Sequence, residues 1–343
     1  MKIIEPDTYL LRRKSKNVLQ CIEQAARLAY KSEDKITPDS AKPFCKKLLD
    51  RKHYPVFEFA NLHFKFCGYT EPEYIRVDEY VKAVDIFAFI LRSFPFLHVT
   101  EKFEVVQGVG LQKVVYVSGT VRAFEEAIGN PLNVDAKYSD NLIWAGFVNF
   151  VQSYLAKEGL PEGIPGKLAY FDPWKDKIKF STLRVGEVLI NLDEDERIRH
   201  CMVPVHIICS RAISHELVRH RRCSFIQESQ RYCNYSNNKF NKEITFISPS
   251  AFYPDGSPEY NAWKKSMEAA EDMYMRLLKM GCTPQSARNV LPNSCATELI
   301  MYATVEEWLH IFSLRTVPAA DPAMQQIMKP LNKRLVFALD CFE

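Results

Sequence analysis

The stretch "VPVHIICSRAISHELVRHRR" (203–222) constrains this chain more than any other. "VPVHII" (203–208) is an apolar run of strand length, and Ser210 follows it as a helix N-cap. A strand is therefore expected to pass through a cap into a helix that runs on through an arginine cluster. That cluster, "RHRRCSFIQESQRY" (219–232), holds four arginines and a histidine beside two serines, two glutamines and a glutamate. Each guanidinium carries a permanent charge and five N–H donors in a fork suited to phosphates and carboxylates. The cluster is a solvated basic face, a nucleic-acid patch, or a pocket for a small polyanion.

Charge separates these readings. The net charge is only +3 over 343 residues, whereas a generic nucleic-acid binder shows a stronger basic excess. Aromatic interleaving is limited to Phe225 and Tyr232. Placement of the arginines matters more than their number, and a nucleic-acid partner is not expected. A hydrophobic fraction of 47% with 25% charged residues describes a globular chain with a sizeable core.

The ten cysteines contain no C-x-x-C pair, so zinc-ribbon and thioredoxin patterns are absent, and no secretory leader is visible. Reduced thiols in a cytoplasmic protein are the expectation. The most apolar run, "IFAFILRSFPFL" (86–97), is interrupted by Arg92 and is too short to span a bilayer, so no membrane partner is expected.

Periodicity predicts a helix on Val18, Cys21, Ile22, Ala25, Leu28 and Ala29, and a second over 40–51. "NLHFKF" (61–66) alternates like a half-buried strand. The middle of the chain reads as a helix over 79–92, a strand–helix unit in 113–129, a loop in "EGLPEGIPG" (158–166), a strand in "EVLINL" (187–192) and a solvated turn in "DEDER" (193–197). No sequence repeat is evident there. Further on come a long helix over 258–279, with Tyr260, Trp263, Met267, Ala270 and Leu277 on one core stripe, a strand in "TELIMYA" (297–303) and a helix over about 305–315.

Two familiar motifs fail on spacing. In "SHELVRH" the position four after His215 is Arg219, and His220 lies five away, so the two-histidine zinc motif is not met and no metal site is expected. "GVG" (108–110) has Lys113 where a dinucleotide-binding loop needs a third glycine. Phosphates would have to be held by side chains.

On a continuous helix Glu216, Arg219, His220 and Cys223 share one face, which as a bare pattern is also that of an exposed Glu–Arg pair. Ser229, Gln230 and Arg231 then supply hydroxyl, amide and guanidinium donors in succession, as oxyanion recognition requires. In "EEWLHIFSLR" Trp308, Ile311, Phe312 and Arg315 fall on one helical stripe, so Arg315 either faces an anion or runs its stem to water. Arg219, Arg221, Arg231, Arg288 and Arg315 thus mark a candidate pocket for a phosphate-bearing small molecule. Composition and spacing do not name a reaction.

Arg219-His220-Arg221, seven residues and then Ser229 resembles the signature of the flavin-dependent thymidylate synthases. "SRAISHELVRHR", "RYCNYS", "ARNVLPNSCATELIMYA" (287–303) and "EEWLHIFSLRT" (306–316) agree with it, and "AARLAYKS" (25–32) and "KHYPVFEFANLHFKF" (52–66) do so more loosely. The resemblance implies an α+β fold, an antiparallel sheet packed with helices, in a single domain interrupted by an insertion at about 72–200. It implies reductive methylation of dUMP to dTMP, with FAD as cofactor and methylenetetrahydrofolate and NADPH as co-substrates, in a homotetramer with shared active sites.

By position, the resemblance makes Glu216, Arg219, Gln227, Glu228, Ser229, Gln230, Arg231, Arg288 and Arg315 dUMP contacts. His53, Arg219, His220, Arg221, Gln227 and His310 become FAD contacts. Arg315 takes the catalytic part, favouring ionisation of the uracil N3; a fixed cation beside a developing anion is the stabilisation such a step asks for. Cys223 is a bystander. Thr304 and Glu306 stand where the family pattern has Asn and Arg, which motivates an alternative reading as an impaired relative that binds nucleotide or a protein partner.

Overall fold

The computed structural model describes residues 1–11, 18–69, 77–106, 110–129, 142–160 and 178–340. In chain order they form strands β1 (Lys2–Ile4) and β2 (Asp7–Leu10), helices α1 (Val18–Ala29) and α2 (Ala41–Asp50), and strand β3 (Asn61–Tyr69). Helix α3 (Val77–Arg92), strands β4 (Leu97–Val106) and β5 (Gly110–Thr120), helices α4 (Val121–Gly129) and α5 (Leu142–Glu158) and strand β6 (Ile178–Thr182) follow. Next are α6 (Val185–Asn191), α7 (Glu194–His200), β7 (Met202–Ser210), α8 (Arg211–Leu217), β8 (Ser224–Gln227) and β9 (Thr245–Ile247). The last elements are α9 (Pro258–Lys279), α10 (Pro284–Ala287), β10 (Ala296–Thr304), α11 (Val305–Arg315) and α12 (Pro322–Asp340). Antiparallel pairing and packed helices make this an α+β chain. It divides into two compact units.

The first unit comprises Met1–Lys14, Gln24–Ile36 and Val203–Glu343. Its four-stranded sheet runs β2-β7-β10-β8, with β2–β7 and β8–β10 antiparallel. The period of two in β7 puts Val205, Ile207 and Cys209 on one buried face. Against them pack Ile213 and Leu217 of α8, Leu299, Met301 and Ala303 of β10, Trp308, Ile311 and Phe312 of α11 and Met324, Ile327 and Met328 of α12. Trp308 donates its indole N–H to the Val203 carbonyl at 3.0 Å, so its one polar atom is satisfied in the core. A second cluster gathers Met267 and Tyr274 of α9 with Phe246 and Cys295, and Trp263 joins it half-buried.

The second unit, Ser15–Glu23 and Thr37–Met202, has its own antiparallel sheet ordered β4-β5-β3-β6. One face carries Phe64 and Phe66, which meet Phe124, Phe87, Phe147, Phe150 and Tyr154 from three helices, most of them edge-on. On the other face Val114 and Tyr116 pack on Val188 and Leu192. There His63 Nδ1 meets Ser118 Oγ at 2.6 Å, and that hydroxyl meets His200 Nδ1 at 2.8 Å.

Taken from its β6 end, this sheet matches the first in the order of three of its strands. The strand followed by a helix and then the far-edge strand (β3 before α3 and β4, β7 before α8 and β8) lies beside the long central strand (β5 or β10). In each, the central strand ends in a threonine, Thr120 or Thr304, followed by a valine and a helix. The threonine Oγ1 accepts from Ala123 N at 3.1 Å in one and Glu307 N at 3.2 Å in the other. The two units share this three-strand order and the capped helix after the central strand, and differ in the remaining edge strand, since β2 precedes the other three in the chain and β6 follows them.

Four expectations need correction. "NLHFKF" is buried on both faces, because a second helical layer covers His63 while the aromatic layer covers Phe64. "EVLINL" is helical: Glu187 Oε2 accepts from Arg184 N at 2.5 Å, and Val188 and Leu192 reach the sheet at i and i+4, leaving Ile190 exposed. "DEDER" opens α7 through a capping box, Glu196 N to Asp193 Oδ1 at 3.1 Å and Asp193 N to Glu196 Oε2 at 3.0 Å. The helix after Ser210 stops at Leu217, short of the arginine cluster. Of the loop expected at 158–166, residues 161–166 lie outside those described. Every described cysteine is a free thiol, and no described helix is long and apolar enough to cross a membrane.

Candidate functional site

The short helix α8 and the turn and strand immediately after it deliver the site residues of the first unit. Ser210 Oγ accepts from Ile213 N at 3.3 Å and starts the helix. Arg219 N to Glu216 O and His220 N to Leu217 O then tighten it into turns. The chain is free to turn because Ser224–Gln227 are taken up as β8, pairing Phe225 with Met301 and Gln227 with Leu299. Sheet pairing has overridden the helical pattern, so Arg219, His220 and Cys223 occupy a turn and not one helix face.

That turn meets the end of α11. Arg315 Nη1 donates to Glu216 Oε2 at 2.8 Å, Nη2 to the Glu216 carbonyl at 3.4 Å, and Nε to His220 Nε2 at 3.1 Å. An arginine N–H can only donate, so His220 Nε2 is unprotonated and the ring is neutral. Burial, with Arg315 and His310 as lesser contributors, lowers the His220 pKa to about 4, in agreement. Of the two readings of Arg315, an acid partner and not water receives its head. Three of its five N–H groups are engaged by Glu216 and His220, which leaves two for a ligand.

Gln227 Nε2 donates to Ser214 Oγ at 2.9 Å and Thr297 Oγ1 at 3.0 Å. Ser214 itself donates to the Arg211 carbonyl, so it accepts from the amide, and only the Gln227 amide oxygen remains for a ligand. Glu228 is 6% exposed and accepts from Tyr235 OH at 2.7 Å. Its burial raises its pKa, against the opposing charge of Lys31. Ser229 and Gln230 are half-buried; Arg231 is exposed, with Nε donating to Gln285 Oε1 at 2.7 Å and its guanidinium against the Tyr232 ring.

Arg219, Arg221 and Arg288 are exposed, and among the described residues none has a carboxylate within ion-pair distance. His310 is exposed on α11. The structure thus brings Glu216, His220 and Arg315 into direct contact and sets Gln227–Arg231 as one continuous segment. His53 belongs to the second unit, just before a turn of 3-10 helix at Tyr54–Phe59. Cys223 is half-buried and burial pushes its thiol up, which suits a bystander. Among the described residues no group of side chains could hold a metal ion.

Thr304 is an N-cap, and Glu306 sits in the first turn of α11, where a negative charge suits the helix dipole. Sequence reasoning gave no part to Arg211, Lys31, Tyr235 and Glu298, all of which contact Glu228. "AARLAYKS" pointed to Lys31 without a role, and no spacing rule links it to residues some 200 positions away.

Residues 179–336 match the family model described as thymidylate synthase complementing protein. A flavin-dependent thymidylate synthase of Pyrococcus abyssi (strain GE5 / Orsay) is 29% identical over 167 residues, 47% of this chain and 67% of that protein. One from Pyrococcus furiosus is 34% identical over 119 residues, covering 35% of this chain and 48% of the relative. One from Geobacter sulfurreducens is 31% identical over 159 residues, covering 44% and 66%. This chain therefore spans about half to two thirds of these relatives' length. A UMP/dUMP methylase, PolB from Streptomyces cacaoi, aligns over 40% of this chain and 67% of its own at 21% identity and a TM-score of 0.34, too slight a likeness to bear on function.

Proposed function

We propose, on the match of residues 179–336 to the family model described as thymidylate synthase complementing protein, that this chain is a methyltransferase, a flavin-dependent thymidylate synthase that converts dUMP to dTMP. In this reading methylenetetrahydrofolate donates the carbon and NADPH the reducing equivalents. The particle is a homotetramer with shared sites, and the insertion expected at about 72–200 would fall within the second compact unit, Ser15–Glu23 and Thr37–Met202.

The observation that carries the reading is the triad Glu216–Arg315–His220, set in a segment matching the family. Arg315 is held by a carboxylate on one side and a neutral imidazole on the other. It therefore keeps a fixed orientation and presents its two remaining N–H groups without having to reorganise. Such a cation would favour the uracil imide losing its N3 proton, with negative charge delocalised onto the ring and C5 made more nucleophilic. A protonated His220 would oppose this by repelling Arg315, and burial keeps it neutral at pH 7.

The donor set fits a dinucleotide: Arg219 and Arg221 are exposed cations with no carboxylate partner among the described residues. They would hold FAD phosphates together with His220 and His310, and the bound flavin would supply hydride chemistry. Ser229, Gln230, Arg231 and Arg288 would hold the dUMP phosphate and sugar. Gln227, with its amide hydrogens already used, would contribute an acceptor only.

A second reading, a relative that binds nucleotide without turnover, rests on Thr304 and Glu306: the hydroxyl of Thr304 is committed to its own helix, and Glu306 puts a negative charge where the family pattern has a positive one. Chromatography of dUMP incubated with protein, FAD, NADPH and methylenetetrahydrofolate separates the two. Appearance of dTMP supports the synthase; bound nucleotide without dTMP in flavin-loaded protein supports the second reading.

A further inference from the structure

The segment that carries Ser229, Gln230 and Arg231 is gripped by the C-terminal end of α1. Ser229 N donates to the Ala29 carbonyl at 3.2 Å, and the rings of Tyr30 and Tyr232 lie 5.6 Å apart. The Lys31 ammonium, largely buried, ion-pairs with Glu298 Oε1 and lies 3.8 Å from Glu228 Oε2. Glu298 also takes His206 Nε2 at 2.9 Å. Glu228 is tied at the backbone as well: its N–H donates to Glu298 O at 2.8 Å and its carbonyl accepts from Arg211 Nη2 at 2.8 Å.

Lys31 reaches this position at a conformational cost. Its φ is +49°, in the left-handed region that side chains other than glycine rarely adopt, as the helix closes with Lys31 N to Leu28 O and Ser32 N to Arg27 O. A glycine would relieve that cost and lose the ammonium. What it meets is a pair of carboxylates, one of them nearly fully buried, whose repulsion would otherwise push β10 and the 228–231 segment apart.

We propose that Lys31 is a positioning residue that clamps Glu228 to Glu298 and thereby presents Ser229, Gln230 and Arg231 in the geometry that receives the nucleotide phosphate. Lys31 does not itself touch the nucleotide. The clamp's ligand rests on the nucleotide reading above, and its geometry on the contacts between residues 29–31 and 228–232.

Two measurements on the full chain test it: amide hydrogen exchange at Ser229 and Glu228, and the dUMP dissociation constant. Lys31→Met is expected to speed exchange at both amides and weaken dUMP about tenfold or more, while kcat at saturating dUMP changes less. Lys31→Arg keeps charge and reach and should restore most of the affinity. Lys31→Gly fits the backbone and should fold, yet bind dUMP as weakly as Lys31→Met. Wild-type affinity in Lys31→Gly, or unchanged exchange in both uncharged variants, would overturn the clamp. Faster exchange with unchanged dUMP affinity would overturn its link to the nucleotide. If wild-type protein takes up no dUMP, the nucleotide reading fails, and with it that link; exchange alone then upholds or overturns the clamp.

Discussion

Arg315 and Glu216, 99 residues apart in the chain, meet through a 2.8 Å hydrogen bond between opposite charges, with His220 on the guanidinium's other side. The contact joins the last residue of α11 to the end of α8 and decides what Arg315 can do. The pair is only partly buried, so its worth lies in orientation more than in stability.

Replacing Arg315 by Ala should abolish dTMP formation and leave the flavin bound. It also leaves Glu216 without its partner, and a loss of about 1–3 kcal/mol in stability is expected. Denaturant melts and flavin absorbance of the purified variant check both. Loss of flavin would show that Arg315 serves the cofactor instead.

Arg231→Ala should weaken dUMP binding by about tenfold or more, as expected for one charge-assisted contact of roughly 1.5–3 kcal/mol. Arg231 is exposed, so the melting temperature should hardly move. Calorimetric titration with dUMP measures the effect, and an unchanged dissociation constant would remove Arg231 from the site.

His220 gives stability a defined pH dependence. Its pKa falls from 6.5 to about 4 in the fold, so the unfolded chain binds the proton more tightly. Stability is therefore whole above about pH 6.5 and declines as pH falls towards 4. His200, lowered to about 3 by burial and its histidine neighbours, acts in the same sense. His220→Gln should make the decline shallower without removing it; an unchanged pH profile would mean that His220 is not buried neutral.

Thr304 tests the departure from the family pattern. Thr304→Ala removes the α11 cap and should cost about 1 kcal/mol, whereas Thr304→Asn keeps a capping side chain and should be near neutral. Thermal melts compare the two. Equal melting temperatures would mean that the hydroxyl contact to Glu307 N contributes nothing.

Much of this architecture is legible in the chain. Strands 203–208 and 297–303 and helices 258–279 and 305–315 declare themselves because each is long, periodic and bounded by a cap or a turn. Where the reading fails, a distant partner has decided the matter. β8 has four residues and no pattern of its own, and exists because β10 offers an edge. "EVLINL" has the length and apolar run of a strand, and it is a helix with a local cap at Arg184 and with Val188 and Leu192 packed on the sheet. The capping box in "DEDER" was visible locally and shows that an acidic run can open a helix.

The site divides in the same way. Arg315 on an apolar stripe announces a buried charge needing a partner, but nothing local names Glu216. Lys31 lies in "AARLAYKS" just past the amphipathic helix that ends at Ala29, and its ammonium acquires meaning only beside Glu228 and Glu298.

The most direct test of the synthase reading is anaerobic. Protein reconstituted with FAD is mixed with NADPH, and flavin absorbance is followed with and without dUMP. Bleaching accelerated by dUMP is the predicted result, since it ties flavin, reductant and nucleotide to one site. Flavin that binds but bleaches at the same rate with and without dUMP, or protein that takes up no FAD, would contradict the reading and favour a nucleotide-binding relative.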